Sequence, residues 1–509
     1  MEHRRSRRRL AIAVPVGLAL TASIGLLPVA TSALASDSAK AADGETLSYV
    51  VNTEAKSGAV KRIAKEVKKN DGKVVAKYPK IGVVVAHSAN KDFGAKIRKV
   101  EGVDSAGATR TAPLTSAATT DTGKPEYLGK AKVAEANRSA TAKNGKEPLE
   151  SLQWDIPAIK ADKAAKVNPG SKKVNVAVID TGVDDTHPDL KPNFSRKTSA
   201  SCVGGKADTT KGAWRPFDPD EDYHGTHVAG TIAAARNNSG VAGVAPNVSV
   251  SSIKVSEETS SLFFAEAVVC AFVFAGEHGA DVTNNSYYVD PWQFNCPDQA
   301  DQAAILEAVG RAAKFAEKKG AVNVTSAGNS NFDLAAKELL DDTSPNDSEP
   351  TERKIDPLVC KDVPTQLPGS LSVSATGSQN LKSYYSNYGS TQVHVAAPGG
   401  DKYQVPDGDA KSGGILSTMP NGDYAYLQGT SMAGPHVAGV AALLKSANPK
   451  LSGHDLKWKL LSQADDLACP SDPYDPDGDG EVDAECTGSK KYNNFYGHGL
   501  TNALKAVQK

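Results

Sequence analysis

The sequence predicts an α/β fold of three layers around a mainly parallel central sheet, preceded by a small α+β unit of ferredoxin-like pattern. Three observations predict it. Beyond residue 148, short continuously apolar runs alternate with stretches of helical spacing, as in strands covered by helices on both faces. Residues 46–104 instead pass through strand-like and helical stretches in the order β-α-β-β-α-β. The chain has 509 residues, 39% apolar and 23% charged, which suits at least two folded units with a large core.

The first segment carries five arginines between Glu2 and Arg9, an apolar run from Leu10 to Ala30, and small residues at Ala33-Leu34-Ala35. Residues 1–35 read as a secretory signal peptide cut near Ala35. Ser6-Arg7-Arg8-Arg9-Leu10 also looks like a twin-arginine export signal, so both export routes stay open. An uncleaved anchor is the alternative, because the run is long enough to cross a bilayer. No second such run follows, so the expected product is secreted, extracellular and without a membrane partner.

In the next unit, 36–110, Leu47 to Asn52 is strand-like, Ala59-Val60-Ile63-Ala64-Val67 has helical spacing, and Lys73 to Tyr78 and Ile81 to Ala86 are β-rich. A second helix is expected from Ala89 to Val100, with Phe93, Ile97 and Val100 on one face, and Val103 starts a last strand. From 105 to 147 the chain is rich in Ala, Thr, Gly, Lys and Ser, with few large apolar groups. Residues 111–147 therefore read as a mobile linker that contains the maturation region.

The large unit spans 148–509. Strands are expected at Val174 to Ile179, Val248 to Val255, Val282 to Tyr287, Val322 to Ser326, Leu371 to Ala375 and Val393 to Ala397. Helices are expected at His224 to Ala235, Leu262 to His278 and Ala303 to Lys319, and starting from Met432 and from His454.

Charge is unevenly spread. Residues 1–147 hold 26 bases against 14 acids, near +12, although the whole chain sums to −1. Two parts of opposite sign suit electrostatic association within one chain. Nucleic-acid binding does not suit the basic part, whose lysines lie over helical faces with hardly any aromatics between them. Six cysteines are compatible with disulfides in an exported protein, and Cys469 with Cys486 and Cys296 with Cys360 are favoured by proximity. Cys270, in an apolar helical stretch, has a buried free thiol as its alternative.

Three segments carry chemistry. Val176 to Asp184 places Asp180 at the end of an apolar strand, followed by Thr181-Gly182, where the carboxylate emerges at the carboxyl edge of the sheet. His224-Gly225-Thr226-His227-Val228-Ala229-Gly230 starts a helix of small residues, and so does Gly429-Thr430-Ser431-Met432-Ala433-Gly434-Pro435-His436. Singly, Asp180 suits a turn, His224 a structural histidine and Ser431 an N-cap. Together, in the order Asp, His, Ser, they resemble the subtilisin-like serine peptidases, the subtilases, of the secreted bacterial type with an inhibitory prodomain. The resemblance runs from about Trp154 to Asn502, interrupted at 330–366 and 469–492.

It implies a subtilisin-like fold and a secreted serine endopeptidase, made as a zymogen, that cuts peptide bonds through an acyl-enzyme with Asp180, His224 and Ser431. It also implies Asn329, in Ser326-Ala327-Gly328-Asn329, as a second oxyanion donor, a role whose loss costs ~10²–10³ in turnover. Ser286, Tyr287, Tyr288, Ser326 and Gly328 are implied to line the substrate's first pocket. Tyr287-Tyr288 departs from the usual Leu-Gly, which puts a broad preference in doubt, and Gly434 stands where serine is common. His187 matches a surface loop of the family and is not the base. The unit 36–110 resembles the family's prodomains and is expected to act as an intramolecular inhibitor. Protein or peptide substrates and a monomeric state complete the expectation. The alternatives are a processing peptidase of narrow specificity and a non-catalytic binding protein on the same fold.

No cofactor is expected for catalysis. Asp475, Asp477, Asp479 and Asp483 hold positions 1, 3, 5 and 9 of a calcium-loop spacing, but position 12 is Cys486 in place of the bidentate glutamate. A structural calcium and a solvated acidic turn stapled by cysteines are both open. Asp189 matches a calcium-binding position of some subtilases, and the rest of that site is not recognisable.

Overall fold

The computed structural model describes residues 46–111, 124–139 and 146–508. The signal peptide lies outside the described residues, as do 112–123 and 140–145 of the expected linker. The first unit holds β1 (Leu47–Thr53), α1 (Ser57–Lys69), β2 (Lys73–Tyr78), β3 (Val83–Ser88), α2 (Phe93–Ile97) and β4 (Val103–Ala108), the expected order. Its antiparallel sheet runs β2-β3-β1-β4. Alternation along β1 assigns the two faces: Tyr49 and Val51 pack with Val60, Ile63 and Val67 of α1 and Phe93 and Ile97 of α2. Val50 and Val83 face the other way and join a core of the large unit.

The expected linker is partly ordered, which corrects the sequence reading. Glu126–Tyr127 (β5) and Lys130–Ser139 (α3) are regular elements, and β5 pairs antiparallel with a strand of the large unit. Partners decide this, because neither segment is apolar enough to announce itself: Leu128 N–H donates to Tyr424 O and Gly240 N–H to Asn137 Oδ1.

The large unit continues with α4 (Asp155–Ala158), α5 (Ala161–Val167), β6 (Asn175–Asp180), β7 (Ala200–Ser201), α6 (His224–Ala233), β8 (Ser249–Lys254), α7 (Ala265–Glu277), β9 (Val282–Asn285), α8 (Ala300–Lys318) and β10 (Val322–Ser326). After these come β11 (Leu339–Asp341), β12 (Arg353–Ile355), β13 (Leu371–Thr376), β14 (Val395–Pro398), β15 (Ile415–Met419), β16 (Asp423–Leu427), α9 (Thr430–Ala447), α10 (Gly453–Ser462), β17 (Gly488–Ser489), β18 (Tyr492–Asn493) and α11 (Ala503–Val507). Seven strands form one sheet in the order β14-β13-β10-β9-β6-β8-β7, all pairs parallel. The sequence reading missed the β15–β16 hairpin, which pairs with β5 and not with the main sheet.

Strand β6 explains the three layers. Val176 and Val178 pack with α6 and α9, whereas Ala177 and Ile179 pack with α7 and α8 on the opposite face. A strand with both faces buried has no polar face, hence its continuous apolar run. Each fully buried valine or leucine contributes ~1.5–3 kcal/mol, so helices that bury many of them stay on the sheet without strong intrinsic propensity. The small unit uses the same α7–α8 layer. Asn52 Nδ2 donates to Ala304 O at 3.0 Å, Tyr78 Oη to Gly205 O at 2.7 Å, and Arg311 Nη1 to Thr53 O at 2.5 Å.

Crossing ion pairs follow the charge asymmetry. Lys80 meets Glu277, Arg98 meets Asp301, and Arg110 meets both Glu257 and Glu266. One pair, Asp104 with Arg311, has the reverse polarity. Disulfides join Cys202 to Cys270, Cys296 to Cys360 and Cys469 to Cys486, so Cys270 is not a free thiol. Among the described residues no helix is long and apolar enough to cross a membrane.

Candidate active site

Each candidate group sits at an element end on the carboxyl edge of the parallel sheet, where loops are free to carry function. Asp180 is the last residue of β6 and is 1% exposed. The chain then turns through Gly182, whose φ of +113° favours glycine. His224 is the first residue of α6, and its Nδ1 lies 2.8 Å from Asp180 Oδ1. Two further bonds hold that corner: Thr181 N–H donates to Asp180 Oδ1 at 2.8 Å, and Gly225 N–H donates to Thr181 Oγ1 at 3.1 Å. Gly225 permits the approach, since a Cβ there would sit 2.3 Å from Gly182 O and 3.1 Å from Asp180 Cβ.

Ser431 is the second residue of α9, not the N-cap, a position taken by Gly429. Its hydroxyl donates to Ser286 O at 3.3 Å, and Ser286 Oγ donates back to Ser431 O at 3.2 Å. Asn329 follows β10. Its Oδ1 accepts from Thr430 N–H at 2.9 Å and from Thr430 Oγ1 at 2.8 Å, and Gly328 N–H donates to Thr430 Oγ1 at 3.1 Å. Because a backbone N–H must meet an oxygen, these bonds fix the amide orientation and leave Nδ2 as the donor group of this cavity-lining residue. Thr430, fully buried, is thus a positioning residue that sequence reasoning missed.

One cavity of about 320 Å³ is lined by His224, Ser431 and Asn329, and by the expected wall residues Ser286, Tyr287, Tyr288, Ser326 and Gly328. Tyr287 stacks on Phe263 with centroids 4.9 Å apart and donates its hydroxyl to Asn285 Oδ1. Tyr288 Oη accepts from Asn346 Nδ2 at 2.9 Å. Asp290, Asn346, Asp362 and Thr365 also line the cavity. Three of these four lie in 330–366, the stretch that matched no family pattern, so the departure itself was the signal. At Gly434 an added Cβ would make only ordinary contacts, 3.4 Å from Asn284 Oδ1 and 3.6 Å from Ser286 Oγ.

His187 is not in this cavity. It is 1% exposed, so the surface position expected for it is corrected; burial lowers its imidazole to about 4. Asp189 is fully buried, accepting from Val241 N–H and Tyr424 Oη, both at 3.0 Å, and burial pushes its carboxyl up to about 7. In the acidic turn, the carboxylates of Asp475, Asp477 and Asp479 offer oxygens within 4.8 Å of one another. Asp475 already accepts from Gly478 and Gly480 N–H, and Asp479 from Glu481 N–H. Burial and the same three aspartates raise the Asp483 carboxyl. The oxygens suit a hard cation in kind, but three fall short of the 6–8 that calcium takes.

Residues 171–499 match the Subtilase family (Peptidase_S8). Subtilisin DY of Bacillus licheniformis is 33% identical over 318 residues, covering 62% of this chain and 93% of its own. Subtilisin Savinase of Lederbergia lenta is 30% identical over 359 residues, covering 70% and 100%. Among solved structures, the epidermin leader peptide processing serine protease of Staphylococcus aureus superposes over 91% of this chain and 99% of its own, with a TM-score of 0.65 at 24% identity. A protease of Pseudoalteromonas arctica covers 71% and 98%, with a TM-score of 0.51 at 28% identity. With the matched domain spanning most of the chain and the same edge of the sheet carrying its polar groups, the chain belongs to the subtilase family and is a serine endopeptidase.

Proposed function

We propose that the chain is a secreted zymogen whose Asp180, His224 and Ser431 act as a catalytic triad. The observation that carries this is the 2.8 Å contact of Asp180 Oδ1 with His224 Nδ1 at the cavity that Ser431 and Asn329 also line. With Nδ1–H donated to Asp180, Nε2 is the ring's acceptor. The Ser431 hydroxyl turns from Ser286 O, gives its proton to Nε2, and Oγ adds to the scissile carbonyl carbon. The carbonyl electron pair becomes the oxyanion, met by Asn329 Nδ2 and the Ser431 N–H at the positive end of α9. Collapse expels the amine, which takes the proton from Nε2. Water then repeats the sequence on the acyl-enzyme and restores Ser431.

The small unit supports the zymogen reading. Just after it, Thr111 donates from N–H to Asp347 Oδ2 at 2.7 Å, next to the cavity residue Asn346. Three disulfides suit an oxidising compartment, in line with the expected export signal. Precursor carrying Ser431→Ala should stay full length in a protease-free system while the parent cuts itself, and a fluorophosphonate should label only the parent. Normal maturation of the alanine variant would sink the self-processing triad. A narrower processing role is the second reading, favoured by the Tyr288–Asn346 bond across the cavity wall.

A further inference from the structure

The cavity has acceptors without matching donors. Among the described residues four carboxylates line it, Glu221, Asp222, Asp290 and Asp362, and no lysine or arginine does. Two of the buried ones are spoken for. Asp222 accepts from Ser261 Oγ and Asp218 N–H, and Asp290 accepts from Asn346 Nδ2 and Phe263 N–H. Asp362 differs: it is 2% exposed, its carboxyl meets the Thr365 side chain but its Oδ1 has no hydrogen-bond partner, and among the described residues no cation is in ion-pair contact with it. Asn346 Oδ1 is a second buried acceptor without a partner, because the amide spends its Nδ2 on Tyr288 and Asp290.

Position decides which part of a substrate meets these groups. Asp362 Oδ2 lies 3.9 Å from where a Cβ on Gly328 would stand, one residue before Asn329. Thr365, three residues on, donates its hydroxyl to Ser326 O at 2.8 Å and so ties the Asp362 loop to the same wall. Asp362 therefore lies behind the Ser326–Gly328 strand end, opposite Ser286–Tyr288. On the endopeptidase reading, the side chain preceding the scissile bond enters between those two walls.

We propose that Asp362 is a specificity-determining residue that selects a basic side chain, arginine or lysine, immediately before the scissile bond. This rests on the endopeptidase reading above. Ionising a buried carboxyl without a countercharge costs several kcal/mol, and a bound guanidinium offsets that cost by supplying up to five planar donors to Asp362 Oδ1 and Asn346 Oδ1. Burial pushes the Asp362 carboxyl up to about 8, consistent with a missing countercharge. An apolar side chain would leave both acceptors unpaired, which is how a polar pocket rejects it.

The test uses the matured full-chain enzyme on fluorogenic tetrapeptides that differ only in the last residue: arginine, lysine, leucine or phenylalanine. For the parent, kcat/KM is expected to be at least ~10-fold higher for arginine than for leucine, and Asp362→Asn is expected to lower that ratio on the order of 10²-fold. In the unmutated enzyme, benzamidine, an amidinium, is expected to compete with substrate and to slow fluorophosphonate labelling of Ser431. A leucine or phenylalanine preference, an unchanged ratio in the variant, or no protection by benzamidine overturns the inference. If labelling persists in those cases, the endopeptidase reading stands alone; absence of labelling in the parent overturns both.

Discussion

Substituting Gly225 by alanine tests whether backbone packing sets the His224–Asp180 contact. The new Cβ would stand 2.3 Å from Gly182 O, and real Cβ atoms essentially never approach closer than 3.0 Å. The start of α6 must therefore move by about 0.7 Å or more, and the atom in the way is backbone, which cannot swing aside. That displacement falls on the residue next to His224, whose 2.8 Å bond to Asp180 has the same margin before it passes hydrogen-bond range. A misplacement of this size costs ~10²-fold in rate, and overpacking costs ~1–3 kcal/mol in stability. The assay is kcat and KM of the matured variant on one peptide substrate, with thermal unfolding run alongside. We expect kcat to fall on the order of 10²-fold with KM little changed. A kcat within threefold of the parent, in a folded variant, would refute the claim that Gly225 is required for this geometry.

Arg110 is 12% exposed, pairs with the fully buried Glu266 at 2.7 Å and stacks 4.0 Å from the centre of Phe264. Against burial, which pushes the Glu266 carboxyl up, the Arg110 charge holds it below its usual range. Arg110→Ala strands that carboxylate, a change of ~3–5 kcal/mol for a buried pair, so the small unit should release sooner and the precursor should mature at least severalfold faster in a gel time course. Burial pushes the carboxyls of Asp290 and Asp362 up to about 7 and about 8. An acid harder to ionise in the folded chain than in the unfolded one, near ~3.9, contributes stability complete below that value and lost as pH rises through the folded value. Tm should therefore fall between pH 5 and pH 9, and Asp362→Asn should flatten that fall. The acidic turn is expected to bind calcium only weakly, with Kd on the order of 10⁻³ M by calorimetry, because its carboxylates already serve their own backbone. Submicromolar binding would contradict this.

Much of the architecture was legible because the main sheet buries both faces. Continuous apolar runs such as Val174 to Ile179 have no other use in a protein of this size, and small-residue helices mark close packing against a sheet. Asp180, His224, Ser431 and Asn329 were legible for a related reason: each sits within a local segment whose neighbours, such as Gly182 and Gly225, are dictated by the same corner. The hairpin at 415–427 was not legible, since its residues are stabilised by β5, distant by about 300 positions. The helix at 130–139 stayed hidden too, as its partners lie in a loop near Gly240.

The sequence by itself determined the three-layer α/β order and the small leading unit, because periodicity and short-range sterics act between neighbours in the chain, and its family resemblance named the candidate reactive groups. Only the tertiary structure decided that Thr430 orients Asn329. It also decided that Asp362 stands buried near Gly328 with one carboxyl oxygen lacking a partner. Those facts depend on contacts between segments tens to hundreds of residues apart, where burial and missing partners, not residue type, set what a side chain does.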